Sequence, residues 1–250
     1  MKILADKDLI SYVTPAVFSG FSASILDPKL TPVYDSFDIV NPDILIVNSE
    51  NLSETVVKNI AERPALKTYV VSFGQPNKAN VERLTSVIGN SFLIEDYSIH
   101  ADVIKYFNKP LAKFTSDIVC IEEDGIEHIE DLYFKQSLKY RIFSDRRIVN
   151  HNNYCGVLSD ELKAPAMNSS RYAILDRRNV LNAYLCDCWP INSLCSARDE
   201  VDTDYSQKVK ETKEEILAGH TNFHLIASIV NNLGYSYEAK IILDKLKELL

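Results

Sequence analysis

The stretch RYAILDRRNVLNAYLCDCWPINS, Arg171 to Ser193, decides how the chain is read. Tyr172, Ile174 and Leu175 make a short apolar strand. Asp176 is placed to cap a following helix, because its carboxylate can accept from the free N–H groups of the first turn. Val180, Ala183 and Tyr184, with Leu185, recur at helical spacing and predict a face packed on a sheet. Pro190 ends that pattern, and Trp189-Pro190-Ile191 resumes as strand. Arg177, Arg178 and Asn179 stand at the helix start. Free N–H groups and the positive end of the helix dipole favour an anion there, and two guanidinium groups add to that field. A solvated arginine face fits the same two residues.

The same strand–helix alternation runs outward in both directions. Upstream, Asp117 to Ile121 reads as a buried strand, Ile126 to Ser137 as a helix and Lys139 to Phe143 as the next strand. Ser144-Asp145-Arg146-Arg147 forms the loop after it. Asn150 to Asn153 is rich in turn formers and leads into Tyr154 to Leu158, and Ser159 or Asp160 caps a short helix. The first third carries strands at Lys2 to Ala5, Ile44 to Val47, Thr68 to Phe73 and Ser91 to Ile94. Helices are expected at Ser53 to Arg63 and Lys78 to Ile88. Ile44 to Val47 is a continuous apolar run of the kind buried on both faces of a parallel sheet. The predicted class is therefore α/β, with helices on both faces of mainly parallel sheets. Ligands in such sheets sit beyond the carboxyl ends of the strands, which puts Asn48, Ser49, Glu50, Ser72 and Gly74 at the rim. The last third is helical: Tyr205 to Leu217, then, after Gly219-His220-Thr221, Phe223 to Leu233 and Tyr237 to Leu249.

Composition bounds the function. A chain of 250 residues, 46% hydrophobic, is long enough for one large or two small cores. A formal charge of −8 and a pI near 5.2 oppose nucleic-acid binding through a whole basic face. No apolar run reaches membrane-spanning length, and Asp6, Lys7 and Asp8 interrupt any signal core in MKILADKDLI, so a cytoplasmic location is expected. The five cysteines are odd in number and not at zinc-binding spacings. Cys186, Cys188 and Cys195 lack a fourth ligand nearby, and buried, reduced thiols account for them. The sequence has no Walker loop, no G-x-G-x-x-G, no G-x-S-x-G elbow and no H-E-x-x-H. With only seven glycines, any anion is more readily gripped by arginines, hydroxyls and helix ends than by a glycine cradle. No metal site and no cofactor are expected.

The order of pieces resembles the GT-B glycosyltransferases, in particular the spore-maturation-protein-like branch. The resemblance rests on KYRIFSD, NNYCGVLSDEL and NSSRYAILDRRNVLNAYLCDCWPI, with Ser169-Ser170-Arg171 and Cys186 to Ile191 at the motif positions. Phe37-Asp38 and Pro42 to Ile46 match the opening strand, and His220 to Phe223 loosely match the closing helix. Three positions depart from the pattern. Asp187 replaces the turn glycine, Ser144 replaces the strand-end glycine, and Asn179 and Asn182 stand where a carboxylate often binds the donor ribose.

The resemblance implies two small Rossmann-like units: 1–112 on the acceptor side and 113–218 binding the donor, with a helical pair at 219–250 packing back. It implies transfer of a sugar from a nucleotide-diphosphate donor to a sugar, lipid or protein acceptor. Arg177 and Arg178 would neutralise the diphosphate, and Asn179 and Asn182 would bond ribose or phosphate. Ser144, Arg146, Tyr154, Ser169 and Ser170 are further donor contacts. Asp6 and Asp8, just past the first strand, are candidates for a general base, with His100 and His151 behind them. The missing carboxylate and glycines leave a second expectation open, a degenerate module that binds a nucleotide or a protein without catalysis.

Overall fold

The computed structural model describes residues 1–27, 29, 31–106, 111–121, 137–144, 153–175, 179–191 and 204–250. Its contacts divide the chain into two units, Met1–His100 with Thr221–Leu250, and Ala101–His220.

The first unit is built on strands β1 (Lys2–Asp6), β2 (Ser22–Leu26), β3 (Ile44–Asn48), β4 (Lys67–Ser72) and β5 (Phe92–Asp96), all parallel, in the order β2-β1-β3-β4-β5. Between them run α1 (Ile10–Val13), α2 (Val33–Val40), α3 (Glu54–Ala61) and α4 (Lys78–Ile88). All five residues of β3 are buried, as expected of a strand covered on both sides. Leu4, Leu45, Val47 and Val70 pack with Phe37, Val56, Ile60 and Leu84 into one core beneath α2, α3 and α4. The last two helices, α9 (Asn222–Asn232) and α10 (Ser236–Leu249), belong to this unit too. Phe223, Leu225, Ile226, Ile229 and Val230 of α9 are buried, Tyr69 Oη of β4 donates to the Ile229 carbonyl at 3.3 Å, and Asn222 donates to the Ser11 carbonyl at 3.0 Å.

Local chemistry sets the ends of these helices. Ser53 Oγ, Asn77 Oδ1 and Thr221 Oγ1 accept from the backbone N–H groups of Val56, Asn80 and His224, so α3, α4 and α9 each open on a side-chain cap. Asn41, in the left-handed region at φ 45°, closes α2 with its N–H on the Phe37 carbonyl. The sequence pattern does not reveal β2 and α2. SASIL buries only Leu26 and leaves Ile25 exposed, as an edge strand does, so it lacks the apolar run that marks β3.

The second unit holds β6 (Ser116–Ile121), β7 (Tyr140–Phe143), β8 (Ser170–Leu175) and β9 (Trp189–Ile191), parallel in the order β7-β6-β8-β9. Helices α5 (Val103–Tyr106), α6 (Asp160–Asn168), α7 (Val180–Leu185) and α8 (Ser206–Gly219) complete its described part. Ile118, Cys120, Ile142, Tyr172, Ile174, Trp189 and Val209 form its core. Pro190 is accommodated because β9 is an edge strand, where a missing N–H costs no ladder bond. Trp189 stacks on Tyr205 with ring centroids 3.9 Å apart. The fold is thus α/β, two parallel Rossmann-like units in succession, as the order of motifs implies. The expected helix at Ile126 to Ser137 lies almost wholly outside the described residues.

Candidate active site

In the first unit β1 lies between β2 and β3, so the winding of the sheet reverses beside it and a crevice opens at the carboxyl ends of the strands. A cavity of about 710 Å³ occupies this rim, lined by residues at and after the ends of β1, β2 and β3, by the starts of α2 and α3, and by Asn80 and Arg83 of α4.

Asp6, the last residue of β1, is 3% exposed and lines this cavity. Its Oδ2 accepts from the Asn48 N–H at 2.5 Å and from Asn51 Nδ2 at 3.3 Å. Its Oδ1 accepts no hydrogen bond among the described residues. Burial pushes the carboxyl up to about 7, against the two hydrogen bonds that lower it, and the nearby Asp8 charge adds to the rise. Asp6 therefore exchanges a proton near neutrality, as a general base or acid requires. Asp8 is exposed in the turn Lys7–Leu9 and lines the same cavity.

The loop that holds Asp6 is itself tied down. Asn48 Oδ1 accepts from the Glu50 N–H at 3.1 Å, Asn80 Nδ2 donates to the Ser49 carbonyl at 2.8 Å, and Arg83 donates to the Leu52 carbonyl at 3.1 Å. Across the cavity, Asp27 follows β2. The Lys29 N–H at 3.0 Å and Lys7 Nζ at 3.3 Å hold its carboxyl below the usual range. Asp27, Asn80 and Arg83 were not among the residues expected from sequence. The signal for Asp27 was its place directly after Leu26, but without β2 that place has no meaning.

In the second unit the expected donor residues divide. Ser169 and Ser170 stand at the amino-terminal end of β8, at the edge opposite the rim. Ser169 Oγ bonds the Pro165 and Leu111 backbone, and Ser170 Oγ bonds the Ala166 carbonyl at 3.0 Å and Ser116 Oγ at 2.9 Å. Ser144 is at the rim, just past β7. It is buried, its N–H donates to the Gly156 carbonyl, and its own carbonyl accepts from Tyr154 Oη at 3.2 Å. Tyr154 is thereby tied beside β7, where it also bridges Ile142.

Asn179 and Asn182 do meet. Asn182 is buried, its Oδ1 accepts from the Asp102 N–H at 2.9 Å, and its amide donates to Asn179 Oδ1 at 3.2 Å. Tyr106 Oη donates to the same Asn179 oxygen at 3.1 Å. The helix α7 itself has six residues, too few for a strong dipole, so an anion at its start depends on side chains. Asp187 adopts φ 56°, the left-handed turn that the motif's glycine would take, and Lys213 of α8 holds its carboxylate at 2.7 Å. Asp176, Arg177, Arg178, Arg146 and His151 lie outside the described residues.

His100, in the turn after β5, accepts on its carbonyl from Tyr12 Oη at 3.5 Å and does not line the Asp6 cavity. Among the described residues no cluster of three His, Cys, Asp or Glu side chains is arranged to hold a metal ion. Cys186 and Cys188 are buried, and burial raises both thiols well above their usual range, so they serve packing. Among the described residues no helix is long and apolar enough to cross a membrane.

No protein-family model matches the chain, and no curated protein does. Solved structures similar to it include two described as UDP-N-acetylglucosamine 2-epimerases. One is a protein from Listeria monocytogenes assigned as a UDP-N-acetylglucosamine 2-epimerase, 11% identical, covering 97% of this chain and 90% of its own, with a TM-score of 0.45. The other is the UDP-GlcNAc 2-epimerase of Neisseria meningitidis bound to UDP-GlcNAc, 10% identical, covering 100% of this chain and 98% of its own, with a TM-score of 0.46.

Proposed function

We propose that the chain is a nucleotide-sugar-dependent glycosyltransferase of the GT-B type in which Asp6 is the general base. The observation that carries this reading is Asp6 itself: a buried carboxylate lining a cavity, with one oxygen fixed by Asn48 and Asn51, the other accepting no hydrogen bond among the described residues, and a pKa raised to about 7. Asp6 takes the proton of an acceptor hydroxyl as that oxygen attacks the anomeric carbon of the donor sugar. The bond from that carbon to the diphosphate oxygen breaks, and the electron pair leaves with the nucleoside diphosphate. A single base acting on the acceptor gives inversion at the anomeric carbon.

One observation favours a second reading, a degenerate nucleotide- or protein-binding module. Asn179 and Asn182 bond each other, Asp102 and Tyr106, and no carboxylate replaces the ribose-binding acid of the family pattern. A thermal-shift screen with UDP, GDP, TDP, CDP and their sugars separates the readings. A shift with one base class, lost in Arg177→Ala/Arg178→Ala, followed by turnover that fails in Asp6→Asn, supports the transferase. Binding with no turnover under any donor supports the module, and no shift at all sinks the donor site.

A further inference from the structure

The cavity at Asp6 also narrows the acceptor. Its depth and chemistry come from three sources that meet at the rim. Asp6, 3% exposed, lines the cavity, and its Oδ1 accepts nothing among the described residues. At the start of α3, Ser53 Oγ is spent on the Val56 N–H, while the N–H groups of Glu54 and Thr55 have no acceptor among the described residues. Asp8 adds a second, exposed carboxylate at the mouth. Asp6 and Thr55 both line the cavity, so an acceptor oxygen without a donor and an N–H without an acceptor meet at one space.

Charge within the cavity is close to balanced. Its acidic side chains, Asp6, Asp8, Asp27 and Glu50, are set against Lys7, Lys29 and Arg83. Asp27 is already answered by Lys7 and the Lys29 N–H, and Glu50 by Asn77 Nδ2 at 3.1 Å. An anion would add to the one-carboxylate excess of this lining, and an ammonium group, which donates but does not accept, would leave the Thr55 N–H unanswered. An alkyl chain would strip water from the carboxylates and return no hydrogen bond. A hydroxyl group both donates and accepts and carries no charge. The volume, about 710 Å³, lies within the range of small-molecule sites, roughly 300–1,000 Å³.

We propose that this cavity takes a neutral polyhydroxylated ligand of one or two sugar rings, one hydroxyl donating to Asp6 Oδ1 and another accepting from the start of α3. The ligand's role as acceptor rests on the transferase reading; its binding does not. Asp6→Asn tests the contact with little change of shape. The Asn48 N–H and Asn51 amide need an oxygen, so the variant keeps its oxygen on them and turns its NH₂ into the cavity, replacing an acceptor by a donor.

The experiment is a calorimetric titration of the full chain with glucose and maltose as neutral probes. Glucose 6-phosphate, glucosamine and octanol serve as anionic, cationic and apolar ones. A neutral saccharide is expected to bind best, with Kd rising about tenfold or more in Asp6→Asn, the loss of one charge-assisted hydrogen bond. Thr55→Pro gives an independent variant: proline is tolerated in the first helical turn and removes the free Thr55 N–H, so Kd rises while melting temperature holds. Absence of saccharide binding, tenfold tighter binding of a charged or apolar probe, or an unchanged Kd in both variants overturns the inference. Nucleoside diphosphates titrated in parallel separate the two claims. Saccharide bound without any nucleotide keeps the cavity and ends the transferase reading; nucleotide bound without saccharide does the reverse.

Discussion

Replacing Asp6 by Asn should change how the stability of the chain depends on pH. Burial raises this carboxyl from 3.8 to about 7 in the folded protein, while the unfolded chain keeps the ordinary value. Between those two values the folded state holds a proton that the unfolded state has released. Stability from this group is therefore full below about pH 4 and is lost as pH rises through about 7. The separation is about three pH units, and at about 1.4 kcal/mol per unit the loss is about 4 kcal/mol, to order of magnitude. Asn carries no proton to lose. Urea denaturation of both proteins from pH 4 to pH 9 should show the variant gaining on the wild type by about 1.4 kcal/mol per pH unit up to pH 7, then a constant difference. Other titrating groups are common to both chains and cancel in the difference. A flat difference across that range would refute the account of Asp6 as a buried, proton-exchanging carboxyl.

Asp187 sits at φ 56° with its carboxylate on Lys213, so Asp187→Ala should cost about 1–2 kcal/mol through left-handed strain and the lost ion pair, whereas Asp187→Gly should be nearly neutral, both read from urea midpoints. Asn182→Asp would set a carboxylate oxygen against Asn179 Oδ1, and should destabilise the second unit by about 1–3 kcal/mol at pH 7 and less at pH 4, where the carboxyl protonates. Phe37→Ala removes a fully buried ring beneath Arg63 and should cost about 3–5 kcal/mol in the same assay.

The strands that the sequence makes legible are those buried on both faces. Ile44 to Val47 and Thr68 to Val71 are unbroken apolar or β-branched runs because both sides of the sheet are covered there. β2 is an edge strand with one buried residue at its end, and its pattern does not separate it from a loop. Losing β2 hides the strand order, and with it the reversal beside β1 that makes Asp6 the last residue before a crevice. Asp6 itself was legible as a polar residue after an apolar strand. Its burial was not, because that depends on the Asn48 to Asn51 loop closing over it from a strand some forty residues away. The donor side shows the opposite limit. Ser169 and Ser170 look available as hydroxyls in the sequence, yet at the amino-terminal end of β8 Ser169 joins α6 to Leu111 and Ser170 joins α6 to β6. Asn182 likewise looks like a ligand contact, and it satisfies the Asp102 N–H at the start of α5.

The most direct test of the transferase reading is release of nucleoside diphosphate from a panel of nucleotide sugars, measured near pH 7 with a polyol acceptor present, for the wild type and Asp6→Asn. The account predicts turnover with one nucleotide class, reduced about 10²–10⁴-fold in Asp6→Asn with nucleotide binding kept. Turnover that survives in Asp6→Asn, or no release from any donor, would contradict it.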